Sequence, residues 1–212
     1  MTGKAVRAEP TRERILATAE RLFAEHGVYA VSNRQISEAA GQGNNAAVGY
    51  HFGTKADLVR AIARKHAEDI EVTRTRLVAE VPAGADVRAW VECLVRPVTE
   101  HLAALRAPTW YARFAAQVTT DPALRGIVEE EALSAPALHR ILRGLDACLP
   151  HLPADTRAER DAMARILMVH TCAERERALA EATPTPRADW STAGTGLVDA
   201  IVALWLAPTT AG

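Results

Sequence analysis

The chain has 212 residues, of which 49% are hydrophobic, 24% charged and 5% aromatic, a globular composition that excludes the disordered and fibrous classes. Three widely spaced cysteines, Cys93, Cys148 and Cys172, exclude a disulfide framework and a CxxC metal site and imply reduced thiols in a cytoplasmic protein. The net charge of −1 is unevenly divided: residues 1–76 carry 12 Lys/Arg against 9 Asp/Glu and residues 77–212 carry 13 against 17, so the N-terminal part is the one suited to phosphates.

The first residues, MTGKAVRAEP, lack the apolar core of a signal peptide. Residues 1–10 read as a flexible arm, whose Lys4 and Arg7 either trail in solvent or enter a minor groove. Pro10-Thr11 starts a first helix, with Ile15, Ala19, Leu22, Phe23 and His26 at i, i+3/i+4 spacing, and Gly27 ends it. Ser32-Asn33-Arg34-Gln35 is a capping box opening a second, short helix, with Ile36, Ala39 and Ala40 inward and Gly41-Gln42-Gly43 as its stop. A third helix starts at Asn44 or Asn45, either of which can cap it, and runs to Phe52 before Gly53. Thr54 to Asp57 forms another box, opening a fourth helix towards Glu80.

Beyond a linker at Val81–Ala85, the spacing predicts helices over about 86–104, 108–119, 122–132, 135–149, 155–182 and 188–206. No segment alternates like a strand. The expected architecture is therefore all-α, with an arm (1–10), a three-helix helix-turn-helix domain (11–56) and a larger C-terminal helical domain (57–212). The longest apolar stretch, Leu197–Ala207, is broken by Asp199 and is shorter than the roughly 20 residues that span a bilayer, so no membrane partner is expected.

Two short helices joined by a glycine turn and packed on a preceding helix make a helix-turn-helix unit, whose second helix lies in the major groove. Val48 and Phe52, four apart, should pack inward, leaving Ala46, Ala47, Gly49 and Tyr50 outward. Small residues there let the backbone approach the bases; alanine methyls can meet a thymine methyl, and asparagine can pair with adenine. Asn44 and Asn45 either cap the helix or read bases, and His51 lies within reach of both core and phosphate.

The run Ser32-x-Arg34-x-Ile36-Ser37-x-Ala39-Ala40-Gly41, then Val48-Gly49-Tyr50-His51-Phe52-Gly53-Thr54-Lys55-x-x-Leu58, resembles the signature of the TetR family of transcriptional regulators. The resemblance covers Arg14 to Leu58, about a fifth of the chain. It implies an all-α homodimer that binds a palindromic double-stranded DNA operator as a repressor and is released by a small-molecule effector. It further implies base or phosphate contact at Arg34, base reading at Asn45, backbone contact at Tyr50, His51 and Lys55, and a phosphate-facing cap at Thr54. Two departures stand out. The turn Gly41-Gln42-Gly43-Asn44 is one residue longer than usual for the family, and Ala47 and Gly49 replace polar readers, which shifts specificity towards Arg34, the asparagines and DNA shape.

In the C-terminal part, Leu197, Val198, Ile201, Val202, Leu204 and Trp205 cover more than half of one helix. So wide an apolar stripe suggests an association surface, with Ile166 on the preceding helix, unless these residues fill their own core. Trp90, Cys93, Trp110, Phe114, Met163 and His170 offer the apolar and aromatic wall of a ligand pocket, and an apolar or aromatic effector is expected. Pro97 should kink its helix by removing a bond to the Cys93 carbonyl. No nucleophile elbow, P-loop, HExxH or Glu-x-x-His motif occurs, so neither an enzyme, a metal nor a cofactor is expected. The alternative is a helical protein-interaction module without DNA binding.

Overall fold

The computed structural model describes residues 3–44 and 46–209, and among these ten helices and no strand occur. They are α1 (Gly3–His26), α2 (Asn33–Ala39), α3 (Ala47–Phe52), α4 (Lys55–Glu80), α5 (Val87–Ala104), α6 (Tyr111–Thr120), α7 (Arg125–Leu133), α8 (Pro136–Cys148), α9 (Ala154–Ala180) and α10 (Trp190–Leu206). The all-α expectation holds, and nearly every helix end falls within a few residues of its sequence signal. The exception is α1, which begins at Gly3 with Pro10 inside it, where a flexible arm was expected. Ala5, Arg7, Ala8 and Glu9 favour helix strongly enough to carry it past a proline that removes a single N–H. The side chains of Lys4 and Arg7, and all of Asn45, lie outside the described residues.

Two apolar cores organise the chain. The first gathers Ile15, Ala19 and Phe23 of α1, Ile36 and Ala40, Val48 and Phe52 of α3, and Leu58, Val59 and Ile62 of α4. It also takes Phe114 and Val118 from α6, with the Phe23 and Phe114 rings stacked at 6.3 Å. The second gathers Val91, Val95 and Leu102 of α5, Ile141 and Leu145 of α8, and Leu197, Val198, Ile201 and Trp205 of α10. Helix α4 contributes to both, through Leu58 at one end and Val78 at the other, so it is the spine that joins them. Helix α5 runs unbroken through the buried Pro97, and α10 packs against both α5 and α9.

Polar groups are fixed at the seam between the cores. Glu176 of α9 is fully buried; its carboxylate accepts from the backbone N–H groups of Ala112 (3.2 Å) and Arg113 (3.0 Å) and from Arg113 Nε (3.2 Å). A carboxylate at a helix N-terminus satisfies orphan donors and complements the dipole, so it pins the start of α6 to α9. Helix α6 in turn grips α1: Gln117 Nε2 donates to the Ala24 carbonyl at 2.9 Å and Trp110 Nε1 to Glu25 at 3.2 Å. A second seam forms a buried relay. His66 Nε2 lies 2.8 Å from Glu20 Oε2, and His66 Nδ1 lies 2.8 Å from His101 Nε2. Tyr111 stacks on the His66 ring at 3.8 Å. Burial holds the His101 imidazole down at about 4, reinforced by the charge of His66, and burial raises the Tyr111 phenol.

Candidate functional site

The helix-turn-helix is built by local signals that each satisfy specific backbone groups. Ser32 Oγ accepts from Gln35 N–H at 3.2 Å while Gln35 Oε1 accepts from Ser32 N–H at 2.8 Å, closing the capping box of α2. At the other end Gln42 N–H donates to the Ser37 carbonyl (2.9 Å) and Gly41 N–H to the Glu38 carbonyl (3.0 Å). That pair of bonds is a Schellman ending, and Gly41 supplies its left-handed residue with φ +66°. Because nothing lies within 4 Å of a Cβ placed there, substitution costs backbone strain alone. Gly41→Val should therefore lower stability by about 1–2 kcal/mol, read as a urea midpoint shift, whereas Gly43→Ala, with φ not positive and open space around it, should leave the midpoint nearly unchanged.

Helix α3 is shorter than the expected Asn44–Phe52 helix. Asn44 Oδ1 accepts from Ala46 N–H at 2.9 Å, so Asn44 closes the turn ahead of α3 while its side chain stays exposed. Val48 and Phe52 pack inward as expected, but Ala47 is buried with them at 8% exposure and is removed from the outward face. With only six residues in the helix, 47, 48 and 52 together make its inner arc. The same geometry corrects α2, where Ser37 rather than Ala39 is buried beside Ile36 and Ala40. The outward face keeps Ala46, Gly49 and Tyr50, the last 81% exposed and edge-on to His51 at 5.1 Å. His51 is half-buried.

The flanking contacts divide. Arg34 projects into solvent, its Nε donating to Glu38 at 2.7 Å. Thr54 caps α4: its Oγ1 accepts from Asp57 N–H at 3.1 Å, and Asp57 accepts from the Thr54 backbone at 3.0 Å. The Thr54 hydroxyl, which donates to Asp57 Oδ2 at 2.6 Å, and then the Thr54 backbone N–H hold the Asp57 carboxyl below its ordinary range. Lys55 differs from the expected free phosphate ligand. Its Nζ donates to the Val28 carbonyl (2.9 Å) and the Val31 carbonyl (2.7 Å), so it staples the α1–α2 loop to the start of α4. An ammonium has three donors, so one remains after these two bonds. Arg12 went unnoticed in the sequence; its guanidinium sits 4.8 Å over the Phe52 ring, which places a cation against α3.

The pocket and interface residues expected from the sequence do not assemble as expected. Phe114 is buried in the first core and Trp110 packs against it, while Cys93 is buried in the second with Trp90 packed against it. Met163 is 51% exposed, and His170 is exposed but lines the open cleft between α9 and α10. These six line no common cavity, because α6 turns its aromatic side towards α1 and not towards α9. On α10, Leu197, Ile201 and Trp205 are at most 4% exposed and Leu204 is half-buried. Their stripe is wide because α10 is wedged between α5 and α9, which correlates with burial and not with an outer interface. What remains exposed on this side is Met163, Ile166 (50%) and Leu206 (58%), with Ala200 and Ala203. Between α9, α10 and the 183–187 loop lies an open cleft of about 640 Å³. The three cysteines are free, and burial pushes the Cys172 thiol up to about 12. Among the described residues no three His, Cys, Asp or Glu side chains converge as metal ligands, and no helix is long and apolar enough to cross a membrane.

Residues 15–62 match the family model described as bacterial regulatory proteins, tetR family, and residues 92–203 match the tetracyclin repressor-like C-terminal domain. A 75-residue stretch, 35% of the chain, is 39% identical to the HTH-type transcriptional repressor AcnR of Corynebacterium glutamicum, covering 39% of that protein. A longer stretch of 134 residues, 62% of the chain, is 28% identical to AcnR of Corynebacterium diphtheriae and covers 64% of it. The matches thus span less than two thirds of these curated relatives. Among solved structures, AmtR of Mycobacterium smegmatis is similar with a TM-score of 0.58 at 22% identity, over 90% of this chain and 85% of that one. NalD of Pseudomonas aeruginosa, the secondary repressor of the MexAB-OprM multidrug efflux pump, is similar with a TM-score of 0.58 at 22% identity, over 92% and 95% of the respective chains. At such identities these two structures share the fold.

Proposed function

The chain belongs to the TetR family of bacterial regulatory proteins and is a DNA-binding transcriptional regulator, and we propose that it works as a cytoplasmic homodimeric repressor, binding a palindromic operator and released by a small-molecule effector. In this reading residues 11–56 are the DNA-binding unit and residues 57–212 the effector and dimerisation domain. The supporting observation is the α2–turn–α3 unit, held by two capping boxes and a Schellman turn, with Arg34, Asn44, Ala46, Gly49, Tyr50 and Thr54 exposed. Asn44 and Asn45 would read bases at the start of α3, with Tyr50, His51 and the third proton of Lys55 on phosphates. Repression is drawn from the curated relatives, which are named as repressors.

Two copies are needed because one helix-turn-helix reads a half-site, and a two-fold dimer presents a matching pair one helical turn apart. Met163, Ile166, Ala200, Ala203 and Leu206 form the apolar face on α9 and α10 that a second copy would cover. The test is selection of bound duplexes from a random pool, followed by anisotropy titration over salt. Recovery of an inverted repeat, with affinity falling roughly a thousandfold or more from 50 to 200 mM salt, is the expected result. Tyr50→Phe should weaken all selected duplexes about equally, whereas Asn44→Ala should alter preference at one base pair. Failure to enrich any sequence, or salt-independent binding, would remove the operator reading and leave a protein-interaction module.

A further inference from the structure

We propose that Arg12 is a further DNA contact of this chain: its guanidinium, seated on the ring of Phe52, holds the phosphate backbone beside the end of α3. This contact belongs to the operator reading above and rests on it. Arg12 lies ahead of residues 15–62, the stretch shared with the family.

Helix periodicity aims the side chain. Arg12, Leu16, Ala19 and Phe23 follow one another at steps of four, three and four, so they line one side of α1. The last three are buried in the first core. Arg12 continues their stripe past the edge of that core; it is exposed, with its guanidinium carbon 4.8 Å from the centre of the Phe52 ring. A cation over an aromatic face is attracted by the ring, and the stacking leaves the N–H donors of the guanidinium uncommitted. Phe52 directly follows Tyr50 and His51, and Lys55 stands three residues on. Those three are the phosphate contacts proposed above, so the ring brings Arg12 to the same stretch of backbone.

The other Lys and Arg side chains of residues 11–56 are engaged or point elsewhere. Arg21 pairs with Glu25 and Arg34 with Glu38, and Lys55 spends two donors on the Val28 and Val31 carbonyls. A phosphate must compete with each of those partners. Among the described residues no carboxylate pairs with Arg12, whose contact is the Phe52 ring. Arg14 is exposed as well, but it stands about 200° round the helix from Arg12, on the side away from α3. A guanidinium already held in place, with no acid to surrender, gives its full charge to a phosphate and needs little ordering to do so.

The test is anisotropy titration of the full chain on a duplex selected from the random pool, from 50 to 200 mM salt. Arg12→Met keeps an apolar cover on Phe52 and removes the charge. It should lower the slope of log affinity against log salt by about 0.9 for each chain bound, roughly tenfold in affinity per chain at 0.1 M salt. The loss should be the same on every duplex, because a phosphate contact reads no sequence. Arg12→Lys should restore the slope, and Arg14→Met should leave it at the parent value. Phe52→Leu should weaken binding by the parent but have little effect in the Arg12→Met background, since the ring acts through the arginine. Weaker binding of Arg12→Met at the parent slope would make Arg12 a packing residue and overturn the proposal. So would an equal loss of slope in Arg14→Met, a slope that Arg12→Lys does not restore, or additive losses with Phe52→Leu. If the pool yields no bound duplex, the operator reading and this contact fall together; a parent that binds while Arg12→Met keeps its slope sinks this contact alone.

Discussion

Changing Met163 and Ile166 together to glutamate should give a folded monomer, whereas changing Ile201 alone to glutamate should give no folded protein. The two exposed side chains, 51% and 50% accessible, contribute little to the chain's own core, so charging them costs little until a second copy approaches and must desolvate the carboxylates. Ile201 is fully buried between α5 and α9. A carboxylate there has no partner and leaves a packing defect, a loss of more than about 4 kcal/mol against a typical total of about 5–15 kcal/mol. Sedimentation velocity with far-ultraviolet circular dichroism separates the outcomes. A Met163→Glu/Ile166→Glu protein that still sediments as a dimer would move the interface off α9. Parent-like melting of Ile201→Glu would contradict the core assigned to α10.

Acidification should destabilise the protein between about pH 6.5 and pH 4, and His101 should account for most of the slope. The groups facing it are His66, Lys65 and Asp69 of α4, Glu20 of α1 and Tyr111 of α6. Burial holds its imidazole near 4 in the folded chain, against about 6.5 when unfolded. Inside that window the unfolded chain binds a proton that the folded chain refuses, so stability falls as pH falls, and above pH 6.5 the effect vanishes. A depression of this size corresponds to about 3 kcal/mol across the window. Urea midpoints at pH 7 and pH 4.5 measure it, and His101→Phe should flatten the difference relative to the parent. An identical pH loss in that variant would assign the slope to carboxylates instead.

The parts of the fold visible in the sequence are those written by neighbours along the chain. Ser32 with Gln35, Thr54 with Asp57 and Gly41 each act within a few residues, so the helix-turn-helix could be located by its caps and stops. Which face a helix buries depends on how many partners it meets, and spacing does not encode that. Helix α10 has two neighbours, so Leu197, Ile201 and Trp205 are core although their stripe suggested a surface. That Lys55 also staples the α1–α2 loop could not be read locally, because its two carbonyl partners lie 27 and 24 residues away. Trp110 and Phe114 followed α6 into the other core, where Gln117 and Trp110 bind that helix to α1 across more than 80 residues of sequence. The contact between His66 and His101, 35 residues apart, left no local trace.

The insertion of Phe114 and Val118 into the first core bears on modularity. Grafting residues 1–56 onto the C-terminal half of another regulator would open a hole beside Phe23 unless the recipient's α6 supplied side chains of the same shape. Exchange of reading heads between such proteins is therefore constrained by a helix that lies far from the cut, and natural or engineered hybrids must carry α6 with the head or repack it.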